Sequence, residues 1–340
     1  MTLDLLKISV ILIISLFIYF FTSRYNENKI EYALKHQKFS SNSLGLSIGG
    51  YIILLSIFVL NFYLQKLELF FYSCIFLLGV LSDNKIFNSP FYRLCVQIIL
   101  IFFLVNFSNT EIVSTRIYFF DQILSINYIN IIFTTFCILI VINGSNFIDG
   151  LNGLVIGYYL LILIILFNSN LDLIFDPETQ IIQSLIFVVL VIFILNLFNI
   201  IFLGDGGSYL IGVLISIYLI NIHVINPYMS PYFVILLLWY PCYENLFSIF
   251  RKKFFKQSAI DPDNKHLHQL LFSFFLEKLS KSKLFVNNFT SILINLYNLF
   301  IFLIALKYLE NTLLLIMLIF INVLIYNSLY FLVKKINTNI

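Results

Sequence analysis

Charged residues are scarce in this chain, where Asp, Glu, Lys and Arg together make up 11% of 340 residues. Hydrophobic residues make up 61% of the sequence, and the mean hydropathy is +0.98. A soluble core does not need that much apolar sequence, because soluble domains typically have about 45–50% apolar and about 25% charged residues. The composition therefore predicts a protein embedded in a membrane.

The sequence also has little cysteine and proline, with 4 Cys and 6 Pro. Cys74, Cys95, Cys137 and Cys242 lie in or beside apolar runs without metal-ligand spacing, which predicts small buried residues, not disulfides or zinc ligands. There is no Pro-rich or Ser-rich linker and no repeat of fixed period. We therefore expect one membrane-embedded domain over residues 1–340, whose longest hydrophilic segment, 251–283, is a loop.

Long apolar runs predict an all-α, polytopic membrane protein, because about 20 apolar residues cross a bilayer as a helix. The runs are continuous and lack the alternation of lipid-facing strands, which excludes a barrel. The first run has no basic leader or Ala-x-Ala-like exit, so we interpret it as a helix and not a signal peptide. The eleven predicted spans are 5–21, 44–64, 67–81, 91–107, 126–142, 153–168, 181–200, 207–222, 231–249, 284–306 and 311–333.

The loops between these spans divide the basic residues unequally. When the loops are assigned alternately to two sides, sixteen of the 20 Lys and Arg residues fall on one side. The positive-inside rule makes that side cytoplasmic and puts the N-terminus outside. The acidic residues Asp172, Asp176 and Glu178 lie in an outside loop, in agreement. This bias also explains the net charge of +3, so the charge gives no reason to expect a nucleic-acid partner.

Five polar stretches interrupt the apolar sequence, and all five fall on the predicted cytoplasmic side. We expect them to form one site assembled from separate loops. The stretches are 38–50, 81–90, 143–154, 202–208 and 261–271.

The most specific stretch is Asn143–Leu154, which reads NGSNFIDGLNGL. An Asp at the centre of a membrane helix costs about 2.5 to 3.5 kcal/mol even on insertion scales, so Asp149 is expected at a helix end or in a wet cleft. Asn143, Asn146 and Asn152 offer uncharged donors and acceptors beside glycines that let a ligand approach the backbone. The alternative is a polar turn between two spans.

The stretch Phe202–Ser208, FLGDGGS, repeats this pattern with an acid between glycines and a helix predicted to start near Ser208. A glycine-rich turn at a helix N-terminus suits phosphate. The Asp205 carboxylate suits a magnesium ion that also holds phosphate oxygens. Taken alone, the motif is weak.

Two further stretches carry charged and imidazole groups. Asp83 is a candidate base or metal ligand, and Arg93 a candidate phosphate clamp with Gln97 one turn further on. The alternative is a capped turn. His266 and His268 are two residues apart, so on a helix they would diverge and would not form a metal pair. Together with Lys265 they could bind pyrophosphate, whereas a loop histidine is more often solvated.

These stretches together resemble the polyprenyl-phosphate N-acetylhexosamine-1-phosphate transferases, a family of bacterial cell-envelope enzymes. Asn143–Gly153 is similar to the family's Asn- and Asp-Gly-rich motif, and Phe202–Ser208 to its Phe-Leu-Gly-Asp-x-Gly-Ser motif. Ser82–Gln97 and Asp263–Gln269 resemble its paired-acid and His-x-His-His segments. Order, spacing and the number of spans extend the resemblance over nearly the whole chain.

The chain departs from the family pattern at two positions. Ser82 stands where the family has the first of two adjacent acids, and Gln269 stands where it has a third histidine. The first departure puts in doubt a mechanism in which that acid deprotonates the lipid phosphate. The second makes a muramoyl-pentapeptide substrate less suitable than a sugar nucleotide.

The resemblance implies transfer of a sugar 1-phosphate from a UDP-N-acetylhexosamine to undecaprenyl or another polyprenyl phosphate, with release of UMP, at the bacterial inner membrane. This would start a lipid-linked polysaccharide such as the O-antigen of lipopolysaccharide, a capsule or a teichoic-acid-like polymer. The implied cofactor is Mg²⁺, with Mn²⁺ as an alternative, and the oligomeric state, including a homodimer, stays open. A transporter or flippase and a catalytically impaired relative are the rival interpretations.

The resemblance also implies roles for individual residues. Asp205 and Asp149 would hold the metal, with Asn146, Asn143 and Asn152 shaping the nucleotide pocket. Asp83 would orient or deprotonate the lipid phosphate. The implied phosphate clamps are Lys38, Arg93, His266 and His268.

Overall fold

A computed structural model describes residues 46–59, 66–87, 89–169, 171, 175–254 and 265–338. Within these ranges the chain forms thirteen helices and one isolated bridge. The helices are α1 (Gly49–Val59), α2 (Lys66–Asp83), α3 (Pro90–Ser108), α4 (Tyr118–Leu124), α5 (Asn127–Ile148), α6 (Leu154–Phe167), α7 (Phe175–Leu197), α8 (Gly204–Ile225), α9 (Pro231–Leu237), α10 (Trp239–Phe254), α11 (Leu267–Leu279), α12 (Lys283–Lys307) and α13 (Thr312–Thr338).

Five of these helices, α3, α5, α8, α12 and α13, are long and apolar enough to cross a membrane. The pair α9 and α10, bent by 71°, makes a sixth candidate if it counts as one span. Each predicted span from residue 44 onward overlaps a helix of the structure, whereas the predicted span 5–21 lies outside the described residues. The prediction of an all-helical fold is confirmed for the described residues, and these candidate spans are consistent with a polytopic membrane protein. The number of eleven crossings stays a prediction.

The segment predicted as one long loop, 251–283, is partly helical. Helix α10 continues to Phe254, and α11 occupies Leu267–Leu279. Helix α11 forms because Leu267, Leu271 and Phe272 are buried along one face, the spacing of an amphipathic helix. Helix α4 was not predicted either, since seven residues are too few for a hydropathy signal.

Helix α8 is the centre of the bundle and packs against α1, α2 and α5. Its approach to α2 depends on glycine. A Cβ built on Gly79 of α2 would lie 2.4 Å from the Cα of Gly206, so neither helix has room for a side chain there. The two backbones therefore cross in contact, and this crossing sets the distance between the end of α2 and the beginning of α8.

Buried asparagines of α12 hold the polar segment between α5 and α6. The backbone N–H of Asn152 donates to Asn287 Oδ1 over 2.7 Å, and Asn295 Nδ2 donates to the carbonyl of Gly153 over 2.9 Å. Uncharged amides can satisfy backbone groups inside an apolar bundle without the cost of a buried charge. This network fixes the turn that follows Asp149.

Trp239 begins α10 at the bend after α9. It is the only tryptophan of the chain, it is buried, and its indole N–H donates to Asn298 Oδ1 over 2.9 Å. The bend is thereby tied to the middle of α12.

Arg116 connects three segments at the end of the bundle opposite to the C-termini of α2 and α5. Its guanidinium donates to the carbonyl of Tyr228 over 2.7 Å and to that of Glu310 over 2.9 Å. It also donates to the hydroxyl of Thr312. One side chain thus connects the segment after α3 with the α8–α9 and α12–α13 junctions.

The four cysteines are free, as predicted, and no disulfide forms among them. They were expected to be buried, but each is only partly buried. Complete burial is not required, because a free cysteine behaves as a small apolar residue that packs favourably when it is only partly covered.

Candidate functional site

The C-terminus of α2 meets the N-terminus of α8, and this contact brings two acids together. The backbone N–H of Asp205 donates to both carboxylate oxygens of Asp83, over 3.0 Å and 3.2 Å. A carboxylate is favoured there because the first N–H groups of a helix have no partner within the helix. The preceding Gly204 has φ +73°, and a Cβ on it would lie 2.7 Å from Asp83 Oδ2. Glycine is therefore required at this position.

Helix α8 begins at Gly204 and not near Ser208 as predicted. The sequence prediction treated the glycines of Phe202–Ser208 as a turn. Within this segment only Gly204 has a positive φ, and the other glycines are helical. Asp205 consequently lies in the first turn of the helix, which fixes the direction of its side chain.

The carboxylate of Asp205 is the centre of the cluster. Ser82 Oγ donates to its Oδ2 over 2.7 Å, and Asn146 Nδ2 donates to its Oδ1 over 2.6 Å. Arg93 of α3 lies 3.5 Å from Oδ2 and also donates to the hydroxyl of Ser82. Residues from α2, α3, α5 and α8 thus converge on one side chain.

Asn143 and Gln97 extend this cluster by one helical turn. Asn143 Nδ2 donates to Gln97 Oε1 over 3.2 Å, which links α5 to α3 below Arg93. Since Gln97 is buried, this amide contact is shielded from solvent and helps to fix the spacing of the two helices.

Asp149 is the C-terminal residue that follows α5, so the expected position at a helix end is confirmed. Burial raises the pKa of its carboxyl well above the usual value, and the carboxylates of Asp205 and Asp83 raise this pKa further. The pKa of Asp83 is likewise raised, first by burial and then by Asp205, although backbone N–H groups of α8 oppose the shift. Three neighbouring acids therefore repel one another in the absence of a cation.

The two histidines lie beside this cluster and are buried. Their rings stack with centroids 5.7 Å apart. His266 packs against the ring of Phe147 of α5, and a Cβ built on Gly150 would lie 2.6 Å from His268 Nε2. Neither histidine is a solvated loop residue, and both contact the segment that contains Asp149.

His266 has a partner that the motif analysis missed. Its Nδ1 lies 2.9 Å from Glu244 Oε1, and the two side chains are 7% and 1% exposed. Glu244 lies within the predicted span 231–249, and acids are rare in membrane segments. This feature of the sequence could have identified the residue.

Gln269, the departure from the family's third histidine, has a structural contact. Its side-chain Oε1 accepts a hydrogen bond from the backbone N–H of His266 over 3.2 Å. This is one half of a capping box at the start of α11, so the glutamine helps to define where the helix begins.

Residues 66–223 match the model of glycosyl transferase family 4. This stretch, which is less than half of the chain, is similar to the members of that family. No curated protein matches the chain. The matched residues contain Asp83, Arg93, Asn146, Asp149 and Asp205, which the structure brings to one end of the bundle. The match indicates a transferase, and several of the described helices are long and apolar enough to cross a membrane.

Asn152, Lys265 and Lys38 were also predicted as possible site residues. Asn152 donates its side-chain amide to Asn199 over 3.2 Å and is buried in the asparagine network, away from the Asp205 cluster. Lys265 is exposed next to His266. Lys38 lies outside the described residues, as do the acids at 261 and 263.

The described residues contain no group of three or more His, Cys, Asp or Glu side chains placed to hold a metal ion. Mg²⁺ does not need such a cage, because it is often held by one or two carboxylates, substrate phosphates and water. The donor set here consists of hard oxygens, and the mutual repulsion that raises the pKa of Asp83 and Asp149 would be relieved by a divalent cation. The residues present therefore fit magnesium.

Proposed function

We propose that this protein transfers a sugar 1-phosphate from a UDP-N-acetylhexosamine to undecaprenyl phosphate and releases UMP. The product would be the first lipid-linked intermediate of a cell-envelope polysaccharide. The family match supports a transferase, and the arrangement of charged residues supports this particular chemistry.

The observation that carries the proposal is the convergence of acids and a guanidinium where apolar helices end. Asp83 is the last residue of α2, Asp205 is in the first turn of α8, and Arg93 is in the first turn of α3. A reaction between a lipid phosphate and a water-soluble nucleotide needs such an interfacial site, where both substrates reach the same place. Phosphoryl transfer is catalysed mainly by positioning and charge stabilisation, which this residue set can supply.

Asp205 and Asp149 would hold a magnesium ion. Bound there, the ion would offset the negative charge of the sugar-nucleotide pyrophosphate and of the lipid phosphate.

The protein's own side chains would bind the phosphates and orient the Asp205 carboxylate. Arg93 lies within 3.5 Å of Asp205, so its guanidinium is at hand for a phosphate that arrives beside that carboxylate. Asn146, already bonded to Asp205, keeps the carboxylate oriented. His266 and His268 would contact phosphate from the side of Gly150.

Asp83 would orient the lipid phosphate without acting as a strong base. A phosphate monoester has a second pKa near 6, so the nucleophilic oxygen is already largely ionised near pH 7. Ser82 is then compatible with activity, because it keeps a hydrogen bond to Asp205 in place of the missing acid. This argues against a catalytically impaired relative.

The distribution of basic residues supports a cytoplasmic site in a bacterial inner membrane, with the N-terminus outside. The described end of the bundle that contains Asp205 also contains most of the described Lys and Arg residues, and the positive-inside rule assigns such an end to the cytoplasm. At that end are Lys85, Arg93, Arg251, Lys252, Lys253, Lys265, Lys278, Lys281, Lys283, Lys334 and Lys335, and at the other end are Lys66, Arg116 and Lys307.

A transporter or flippase is the second candidate. Transporter sites lie near the membrane midplane between broken helices. Asp83, Asp149 and Asp205 instead lie where helices end or begin at one end of the bundle, which favours an interfacial enzyme.

The proposal is tested with purified protein in detergent, undecaprenyl phosphate, Mg²⁺ and a panel of radiolabelled UDP-sugars. We expect label to enter the organic phase for one N-acetylhexosamine, together with an equal amount of UMP. Chelation of the metal should stop the reaction. Failure of every UDP-sugar in the panel, with folded protein present, would sink the proposal.

A further inference from the structure

Glu244 is a buried acid on α10, and it faces a histidine of a different segment. Its carboxylate oxygen Oε1 lies 2.9 Å from Nδ1 of His266, and its side chain is 1% exposed. Glu244 lies beyond the residues that match the family model. A buried carboxylate in a membrane segment is costly unless it is paired. The pairing of Glu244 with His266 therefore calls for an explanation.

The contact determines which nitrogen of His266 carries a proton. An ionised carboxylate can only accept hydrogen bonds. Nδ1 must therefore be the protonated nitrogen, and Nε2 is the nitrogen through which the ring would bind another group. A neighbouring carboxylate that sets tautomer and ring orientation is a recurrent device in catalytic and metal-binding histidines.

Two aromatic rings also contact the imidazole of His266. The ring of Phe147 lies with its centroid 5.2 Å away, and that of His268 with its centroid 5.7 Å away. Phe147 belongs to the last turn of α5, next to Asn146, which is bonded to Asp205. These two ring contacts and the contact with Glu244 restrict rotation of the imidazole, and Phe147 links its position to the acid cluster.

We propose that Glu244 is a positioning residue of the transfer reaction: through the Nδ1 contact it holds His266 in the tautomer and orientation in which Nε2 meets a phosphate of the sugar nucleotide. This inference rests on the proposed function for the identity of the phosphate, but the contact between Glu244 and His266 can be tested without any substrate.

The first test is an NMR measurement on protein labelled with ¹⁵N-histidine. The chain has 4 histidines, so the spectrum is simple, and His266→Gln identifies the resonances of His266. We expect a protonated Nδ1 in the wild-type protein. Glu244→Gln is nearly isosteric, but its amide can donate to an unprotonated Nδ1, so we expect the Nδ1–H signal to be lost or reduced. Glu244→Leu removes the acceptor and serves if the first variant folds poorly.

The second test is kinetic and asks whether Glu244 acts through His266. We expect Glu244→Gln and His266→Gln each to lower kcat/KM for the UDP-sugar about 10- to 100-fold, the usual range for a residue that orients a ligand. The double variant should be no slower than the slower single variant, because the second change removes nothing further. Glu277→Gln, at an exposed acid of α11, is the matched control and should leave both measurements unchanged.

The outcomes separate the two proposals. An Nδ1–H signal of His266 that is identical in wild type and in both Glu244 variants overturns the inference, as does a double variant whose loss is the product of the single losses. Such a multiplicative loss would mean that the two residues act independently of each other. Absence of transfer in the wild-type protein overturns the proposed function, while the NMR result still decides whether Glu244 positions His266.

Discussion

Ser82 stands where the pattern of the family that the chain resembles has an acid. Its hydroxyl donates to Asp205 and accepts from Arg93, so it connects an acid to a base. A carboxylate in its place would lie within hydrogen-bond distance of Asp205 and would repel it unless a cation stood between them. Ser82 thus places a neutral hydrogen-bonding group where the family pattern has a negative charge.

For Ser82→Asp we expect a rate within about tenfold of wild type, because an ionised lipid phosphate does not need the 10² to 10⁴ contribution of a general base. The measurement is turnover of both forms from pH 6 to 9. A large gain in the variant confined to low pH, where the monoester is partly protonated, would contradict this view and would favour an impaired enzyme.

For Asp205→Asn we expect transfer to fall by more than tenfold, or more than about 1.4 kcal/mol in transition-state terms. The amide keeps the shape of the side chain but loses the charge that would hold magnesium. Asp121→Asn is the control, since Asp121 lies near the other end of the bundle and bonds to Thr115 and Ser114. Retention of more than about a tenth of the activity in Asp205→Asn would remove Asp205 from the essential ligands.

At the scale of helices, the crossing of α2 and α8 decides whether the acids meet. Gly79→Ala would place a Cβ 2.4 Å from Gly206, and overpacking of this kind typically costs about 1 to 3 kcal/mol. We expect the variant to lose thermal stability and to transfer at least about tenfold more slowly, because Asp83 moves away from Asp205.

Leu77→Ala, at an exposed side chain on the same helix, is the comparison for the Gly79 variant. Thermal unfolding and turnover should both stay close to wild type. If Gly79→Ala behaves in the same way as Leu77→Ala, the close crossing does not control the site.

The positions of the helices could be predicted from the sequence because hydropathy depends on local composition. Hydropathy located α3, α12 and α13 to within a few residues. Asp83, Arg93, Asn146 and Asp205 were also predicted as site residues, and the structure brings them into contact. Glu244 escaped prediction because its importance depends on a partner 22 residues away, and Asn152 lies in a network that only tertiary packing reveals.

At the scale of the whole molecule, the two ends of the bundle differ in charge and in contacts. A reporter fused after Lys253 should be cytoplasmic, and one fused after Ser114 should be outside, because basic residues concentrate at the end that contains Lys253. Reporter activity in cells is the measurement. The reverse arrangement would show that the site faces the other side, and two fusions in the same compartment would contradict the predicted topology.

Trp239 gives the protein a built-in optical signal. It is the single indole among 21 tyrosines, so excitation at the red edge of the absorption band isolates its emission. The residue sits five positions before Glu244 at the α9–α10 bend, buried and hydrogen-bonded to Asn298. Any nucleotide that shifts α10 on binding should change the wavelength or intensity of this emission. Affinity could therefore be followed by label-free fluorescence titration, even in variants too slow to assay.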